Sequence, residues 1–183
     1  DVVERREVTV DRAAIDAALA LGGEMNRRAV EDVARTRHMM VLAGSCDNDD
    51  GRERTLVAAL TGRRVDALVI MPAGADHSYL LTERRAGTPI VFVDRPPAFL
   101  DADAVVADNA NGTRLGVRHL IGHGHRRIAY LGDVQTISTA RQRHDGYRQE
   151  LAAQGLPVDE ALVRLDLRGI EVAEAVATEL LAL

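Results

Sequence analysis

Polar side chains stand where the predicted strands of this chain end, and their types suit a ligand rich in hydroxyl groups. Ser45 follows the apolar run 39–43, and Asp94 ends another such run. Ser138 and Thr139 lie at the start of a predicted helix and can offer hydroxyl or free N–H groups. In open parallel sheets, ligands bind outside the carboxyl ends of the strands. Because carboxylates accept hydrogen bonds and hydroxyls both donate and accept them, these positions predict a site for a small polar ligand.

The other reactive side chains lack the spacing that metal binding or catalysis requires. His119, His123 and His125 have no carboxylate or thiol nearby to complete a zinc site, and Cys46 has no adjacent base. Two further patterns resemble a calcium loop and a catalytic triad: Asp47, Asp49 and Asp50, and Ser138, His144 and Asp145. The first lacks Gly and Glu in register, and the second has no nucleophile elbow. We therefore expect no enzyme activity, no metal and no cofactor.

Short apolar runs alternate with amphipathic stretches, which predicts an α/β fold. The predicted strands are 39–43, 67–71, 89–94, 104–107, 127–132 and 162–165. Helices are predicted over 23–35, 76–85, 139–154 and 170–183. Two further helices are predicted to begin at a capping box formed by Asp50 and Glu53 and at Asp108. Strands that are apolar on both faces and separated by helices indicate parallel sheets covered on both sides.

Residues 108–132 are the most informative stretch, since they predict a helix with both ends defined and then a buried strand. Asp108 and Asn109 can cap the first turn, and Gly122 and Gly124 permit the left-handed turn that stops the helix. The ordered series resembles the effector-binding core of the LacI/GalR family of bacterial transcription regulators. It comprises Asp108-Asn, His119-Leu-Ile, a Gly-His turn, Arg126-Arg-Ile-Ala-Tyr-Leu-Gly and Arg143-His-Asp-Gly-Tyr147.

The resemblance implies the type I fold of periplasmic sugar-binding proteins, with two lobes of parallel strands flanked by helices. Residues 22–107 correspond to the N-terminal lobe, and 108–183 to a C-terminal lobe that is incomplete in this chain. Lobe motion would occur about crossings near 107–109. Residues 1–21 are a separate N-terminal segment. Within it Glu7-Val-Thr-Val-Asp11 is favoured as the first strand, and the alternative is the end of a DNA-binding headpiece over 8–26.

In the family that this chain resembles, the effector lies in the cleft between the lobes. Asp94 and Arg143 match cleft positions, with Ser138 and Thr139 beside the same helix as Arg143. A carboxylate and a guanidinium facing each other across a cleft suit a polyol. The alternatives are that Asp94 caps a turn before Pro96 and that Arg143 is an ordinary surface arginine.

Charge and composition limit the partners. The formal net charge is -5, whereas a domain that grips DNA by itself is usually basic. Operator DNA would therefore be bound through a headpiece that is not evident in this chain. The single cysteine, Cys46, fits a reducing compartment, and no apolar run approaches the length of a membrane span, so we expect a cytoplasmic protein. The resemblance implies a homodimer, with 23–35 and 76–85 as interface candidates.

These observations predict the ligand-sensing domain of a LacI-type regulator, with a sugar or related metabolite as effector. Effector binding would change how a homodimer presents its DNA-binding headpieces. The alternative is a periplasmic-type sugar-binding protein of a transport system, which shares the fold. An enzyme on a similar sheet would need a nucleophile, a metal cluster or a phosphate loop, and the sequence contains none of these patterns.

Overall fold

The computed structural model describes residues 22–182 and divides into two compact units on either side of the Ala107–Asp108 bond. The first unit contains the helices α1 (Gly22–Thr36), α2 (Asp50–Thr61) and α3 (Leu81–Arg85), and the strands β1 (Leu68–Ile70), β2 (Ile90–Val93) and β3 (Asp103–Val105). A 3-10 turn at Ser78–Leu80 precedes α3. The favoured strand at 7–11 lies outside the described residues, and so do residues 8–21 of the alternative over 8–26.

The three strands of the first unit form a parallel sheet in the order β1-β2-β3, as the alternation of runs and helices predicts. Leu68 and Ile70 of β1 are buried on one face together with Ile90 and Phe92 of β2. This face packs on the α2 side chain Val57 and on the turn before α3, so it forms the core of the unit.

The predicted strand at 39–43 is absent, and this prediction is wrong. The run carries no strand structure, and Met40 is 86% exposed. A strand requires a neighbour that takes up its backbone groups, and among the described residues β1 pairs with β2 alone. The opposite face of β1 is also uncovered, since Val69 is 53% exposed, so coverage of both faces is not observed there.

The start of α2 also differs from the prediction. Asp49, not Asp50, is the N-cap, and its carboxylate accepts a hydrogen bond from the N–H of Arg52 at 2.7 Å. Glu53 does not complete a capping box, because its side chain turns inward and is 3% exposed. Tertiary contacts, rather than the local capping pattern, set its direction.

The second unit contains the helices α4 (Asn109–Gly122), α5 (Ser138–Ala153) and α6 (Ile170–Leu181), with the short strands β4 (Tyr130–Leu131) and β5 (Val163–Arg164). The two strands are parallel. The strand predicted at 127–132 is therefore reduced to two residues. The buried core is formed by side chains of α4 and α5 and of the segment before β4: Val117, Ile121, Ile128, Tyr147 and Leu151.

Both predicted signals at the ends of α4 are present. The carboxylate of Asp108 accepts a hydrogen bond from the N–H of Asn111 at 3.0 Å, and Gly124 adopts the left-handed conformation with φ of 92°. Gly122 is helical, so only the second of the two glycines makes the turn. In the part of the chain that the structure describes, no helix has the length and apolar character needed to cross a bilayer.

Candidate functional site

In the first unit, Arg95 joins the loops that follow the carboxyl ends of the strands. Its guanidinium donates to the carbonyl of Pro72 at 2.9 Å and to Oδ1 of Asn48 at 3.3 Å. The loop after β1 and the loop before α2 are thus tied to the segment after β2. Arg95 is not among the site residues predicted from the sequence, although its position directly after Asp94 at a strand end was a usable signal.

Asp94 lies beside this arginine with a constrained backbone. Its φ is 72°, and its N–H donates to the carbonyl of Val105 at 3.0 Å. The Asp94 carboxylate lies 3.5 Å from Nε of Arg95, which is buried and has no hydrogen-bond partner. Among the described contacts, the carboxylate accepts no hydrogen bond from a backbone N–H, so the turn-capping alternative has no contact to support it. The Asp94 side chain is 33% exposed.

Ser45 is engaged with its own loop instead of with Asp94. Its hydroxyl donates to Oδ1 of Asp47 at 2.8 Å, and Asp47 also pairs with Arg52 at 2.7 Å. Ser45 lines a shallow groove of about 640 Å³ along α2. The structure therefore does not bring Ser45 and Asp94 together through a described contact.

A buried polar group supports the loop after β1. The carboxylate of Glu53 accepts hydrogen bonds from the N–H of Ala73 and from the hydroxyl of Tyr79, the latter at 2.7 Å. Burial and the hydrogen bond to this carboxylate raise the pKa of Tyr79 above its ordinary value. The tyrosine therefore stays a neutral donor. The sequence pattern predicted a helix-capping role for Glu53 and gave no signal for its role as a buried acceptor for Ala73 and Tyr79.

In the second unit, Arg143 is held by the residue that opens α4. Nε of Arg143 donates to Oδ1 of Asn109 at 2.7 Å, and Asn109 is 7% exposed. The terminal nitrogens of Arg143 make no hydrogen bond to the described residues, and the side chain is exposed. Arg143 therefore differs from a free surface arginine, because its Nε is bonded to a buried side chain although the residue is exposed.

The remaining residues of the Arg143-x-x-Gly-Tyr147 motif are used in packing. A Cβ at Gly146 would lie 2.3 Å from the carbonyl oxygen of Ala110, so α4 and α5 approach as closely as glycine allows. The hydroxyl of Tyr147, a residue that is 1% exposed, donates to the carbonyl of Ile128 at 2.9 Å. The motif thus holds α5 against α4 and against the segment that leads into β4.

Ser138 and Thr139 occupy the first turn of α5, on the same helix as Arg143. The N-cap residue, Ile137, provides no side-chain hydrogen bond to this turn. Ser138 is half-buried, whereas Thr139 is only 5% exposed. Ser138 is therefore the more accessible of the two for a ligand.

A buried carboxylate organises the opposite end of α5. Glu150 is fully buried and accepts hydrogen bonds from Arg118 at 2.7 Å and from Arg114 at 3.2 Å. The hydrogen bond from Arg118, with others from Gln154 and Arg114, lowers the pKa of Glu150 to about 2. The group is therefore an ionised structural element that links α4 to α5.

His119 and His123 lie side by side at the end of α4. The rings of His119 and His123 lie with centroids 4.3 Å apart, and Nδ1 of His123 is 2.9 Å from the carbonyl oxygen of His119. Across residues 22–182, no group of three or more histidine, cysteine or acidic side chains could hold a metal ion. His123 is the C-cap residue of α4, and its backbone N–H donates to the carbonyl of His119.

Parallel strands followed by polar loops, in two units of α/β structure, define the class of binding-protein-like α/β domains. Residues 29–183 match the family described as periplasmic binding proteins and the sugar binding domain of the LacI family. The chain belongs to this family, and the resemblance inferred from its motifs is confirmed. The predicted fold class is confirmed as well.

Known relatives agree with this assignment. The HTH-type transcriptional regulator GalR of Salmonella typhimurium (strain SL1344) is 31% identical over 154 residues, covering 84% of this chain and 45% of the regulator. The structure of the regulator CcpA of Lactococcus lactis has a TM-score of 0.73 at 23% identity, covering 94% of this chain and 61% of that one, which supports the fold alone.

A third relative was solved with a ligand. The Cra transcriptional dual regulator of Pseudomonas putida, in complex with fructose 1-phosphate, has a TM-score of 0.65 at 26% identity and covers 84% of this chain and 52% of that one. The chain spans about half the length, or less, of the curated relatives that it matches: 41% of the regulator EndR of Paenibacillus polymyxa, for example.

Proposed function

We propose that this chain is the effector-sensing core of a LacI-type transcription regulator and that it binds a small sugar-like metabolite. The observation that carries the proposal is the contact between Arg143 and Asn109, at 2.7 Å. It holds Nε of an exposed arginine whose terminal nitrogens make no hydrogen bond to the described residues, in a chain whose family includes sugar-binding domains. Fold alone would not support a function, because one fold serves many of them.

Each predicted site residue has a role in this proposal. The carboxylate of Asp94 accepts hydrogen bonds from sugar hydroxyls, and the terminal nitrogens of Arg143 donate to hydroxyl or phosphate oxygens. Ser138 contributes a hydroxyl or a free N–H at the start of α5, and Thr139 contributes through its backbone. Ser45 contributes a hydroxyl after exchanging its bond to Asp47. The support for these roles is the position of each residue, at a strand end or in the first turns of α5.

The regulatory part of the proposal concerns the whole protein. Effector binding favours one arrangement of the lobes over another, and the difference in affinity between the two states sets the response. A homodimer then presents two headpieces to operator DNA in the cytoplasm, with 23–35 and 76–85 as interface candidates. The names of the relatives, which are transcription regulators, favour this function over a transport-system binding protein and over an enzyme.

The test is a thermal-shift screen of the chain against ribose, glucose, galactose and fructose 1-phosphate, followed by calorimetry. A sugar at 100 times its Kd stabilises the folded state by about 2.7 kcal/mol. Arg143→Ala is expected to abolish the shift. The matched control is Arg148→Ala, because Arg148 lies on the same helix in an exposed pair with Glu160.

A shift that survives in Arg143→Ala would remove this residue from the site and leave sugar sensing in place. If none of the four compounds produces a thermal shift, the proposal is contradicted for neutral hexoses, for ribose and for this sugar monophosphate.

A further inference from the structure

The segment after β2 is held in a conformation that its own residues do not favour. Asp94 and Phe99 both have positive φ, 72° and 59°, in the left-handed region. Asp tolerates this region better than Phe does, and a bulky residue stays there only when surrounding contacts hold it. The side chain of Phe99 is 77% exposed, so its own packing does not supply that constraint.

His77 supplies two of the contacts that hold this segment. The backbone N–H of His77 donates to the carbonyl of Ala98 at 3.1 Å, and the backbone N–H of Ala98 donates to Nδ1 of the imidazole at 2.9 Å. Nδ1 must therefore be unprotonated, which leaves the hydrogen on Nε2. We call this pair of hydrogen bonds the His77–Ala98 clasp.

The imidazole is itself fixed in the interior of the first unit. His77 is 1% exposed, and its ring meets Phe92 edge-on with centroids 4.9 Å apart. Nε2 has no hydrogen-bond partner, and it faces Oε1 of Glu53 at 3.9 Å. The carboxylate of Glu53 holds Ala73 and Tyr79 on either side of the histidine. A series of contacts thus runs from α2 through the loop after β1 to the segment after β2.

The clasp and Arg95 act on the two ends of one short segment. Arg95 ties the beginning of the segment to Pro72, and the clasp ties Ala98 to the same loop. Asp94 lies just before the first of these attachments. Without the clasp, the segment would have to order itself when a ligand binds, and this ordering lowers affinity.

We propose that His77 is a positioning residue of the sugar site in the first unit, and that its Nδ1 holds the segment 94–98 in the conformation that aims the carboxylate of Asp94. The inference rests on the proposed function for its consequence in binding, and on the described contacts for the clasp itself. The ligand addressed is a polyhydroxylated molecule that donates hydrogen bonds to Asp94.

The experiment compares His77→Asn, His77→Gln and His77→Ala in the full chain. Oδ1 of asparagine is bonded to Cγ, as Nδ1 of histidine is, whereas the acceptor of glutamine is one bond further out. The first readout is hydrogen exchange of the Ala98 amide by NMR. The amide of Leu68 in β1, which donates to the carbonyl of Pro89 at 2.9 Å, is the reporter of global unfolding. His38→Asn is the matched control, since His38 is exposed and its left-handed backbone suits asparagine.

The expected result is exchange of the Ala98 amide that is about tenfold faster in His77→Ala and His77→Gln, with Leu68 unchanged, and near wild type in His77→Asn. Equal exchange of Ala98 in the wild type and in folded His77→Ala would overturn the proposal. If His77→Ala does not fold, the comparison of the Asn and Gln variants decides in the same way.

The second readout is calorimetric binding of glucose and of fructose 1-phosphate. His77→Ala is expected to weaken the affinity of whichever sugar binds by about fivefold, with unchanged stoichiometry, and His77→Asn to restore it. Unchanged affinity in a variant that has lost the clasp would contradict the positioning role. If the wild type binds neither sugar, the proposed function fails for these compounds, while the exchange of Ala98 still upholds or overturns the clasp.

Discussion

Asn109 accepts a hydrogen bond from Nε of Arg143 at 2.7 Å, although 34 positions separate the two residues in the chain. Asn109 is the first residue of α4, directly after the N-cap Asp108, so its backbone is fixed by the helix that it begins. The contact uses the inner nitrogen of the guanidinium and leaves the outer two for other partners. The Asp108-Asn109 pair of the family motif thus combines a helix cap with the support of an arginine.

The first prediction concerns this support. Asn109→Ala should weaken sugar binding by about fivefold to tenfold, because a mobile Arg143 loses more side-chain entropy on binding. Asn109→Asp keeps the acceptor and should retain most of the affinity. Calorimetry measures both variants, with Asn111→Ala as the control on the exposed side of the same helix.

If Asn109 acts through Arg143, the two alanine substitutions are not additive. With the sugar raised to concentrations at which calorimetry detects the residual binding of Arg143→Ala, the double variant should bind no more weakly than Arg143→Ala alone. Additive losses of affinity would show that Asn109 has an independent role in binding.

Sequence patterns identified those features that local chemistry sets. Asp108 caps α4 and Gly124 turns its end, because capping and left-handed glycine depend on neighbouring residues. The run 39–43 forms no strand, because a strand needs a hydrogen-bonding partner from elsewhere in the chain. Asp49 is the N-cap of α2 in place of the predicted Asp50. The side chain of Glu53 turns inward and bonds Tyr79, and no pattern within α2 specifies this partner.

The candidate site likewise contains residues that the sequence identifies and residues that only the folded structure identifies. Position at a strand end selected Asp94, and the family motif selected Arg143. The residues that hold them, Arg95, His77 and Asn109, are defined by contacts between distant segments. Periodicity and spacing carry no signal for such pairs, because one sequence offers many partners for an arginine or a histidine.

The second prediction concerns the close approach of α4 and α5. Gly146→Ala should destabilise the second unit by about 1–3 kcal/mol, since a Cβ at 2.3 Å from the backbone oxygen of Ala110 forces the helices apart. The control is Gly112→Ala on α4, where a Cβ meets nothing within 4 Å. That change should stabilise the fold by about 0.5–1 kcal/mol. Urea unfolding measures both, and equal effects of the two substitutions would refute the packing argument.

The third prediction concerns the hydroxyl of Tyr147. Tyr147→Phe removes the donor to the Ile128 carbonyl and leaves a buried acceptor unpaired, so the free energy of unfolding should fall by about 1–3 kcal/mol. Tyr130→Phe is the matched control, because its hydroxyl lies 3.5 Å from the carbonyl oxygen of Ala140, too far for a strong bond. The control should change stability by less than about 0.5 kcal/mol. A similar loss in both variants would mean that the Tyr147 hydroxyl is not specifically required.

The last prediction uses the buried carboxylate of Glu150. Its pKa in the folded chain is about 2, below the ordinary value of 4.5, because Arg118, Gln154 and Arg114 donate to the ionised form. A group whose pKa is lowered by folding stabilises the fold above its ordinary pKa, and this contribution is lost as the pH falls toward the folded value. Glu150→Gln should therefore lower the free energy of unfolding at pH 7 by about 2 kcal/mol.

The difference between wild type and Glu150→Gln should stay constant from pH 7 to about pH 5 and should shrink as the pH falls from 4.5 toward 2. Urea titrations at stepped pH values measure it, and taking the difference removes the acid sensitivity that both chains share. Glu160→Gln is the control, since Glu160 is exposed in its pair with Arg148 and such pairs contribute less than about 1 kcal/mol. A difference that grows as the pH falls through this window would show that the Glu150 carboxylate is destabilising in the folded chain, contrary to the hydrogen bonds that surround it.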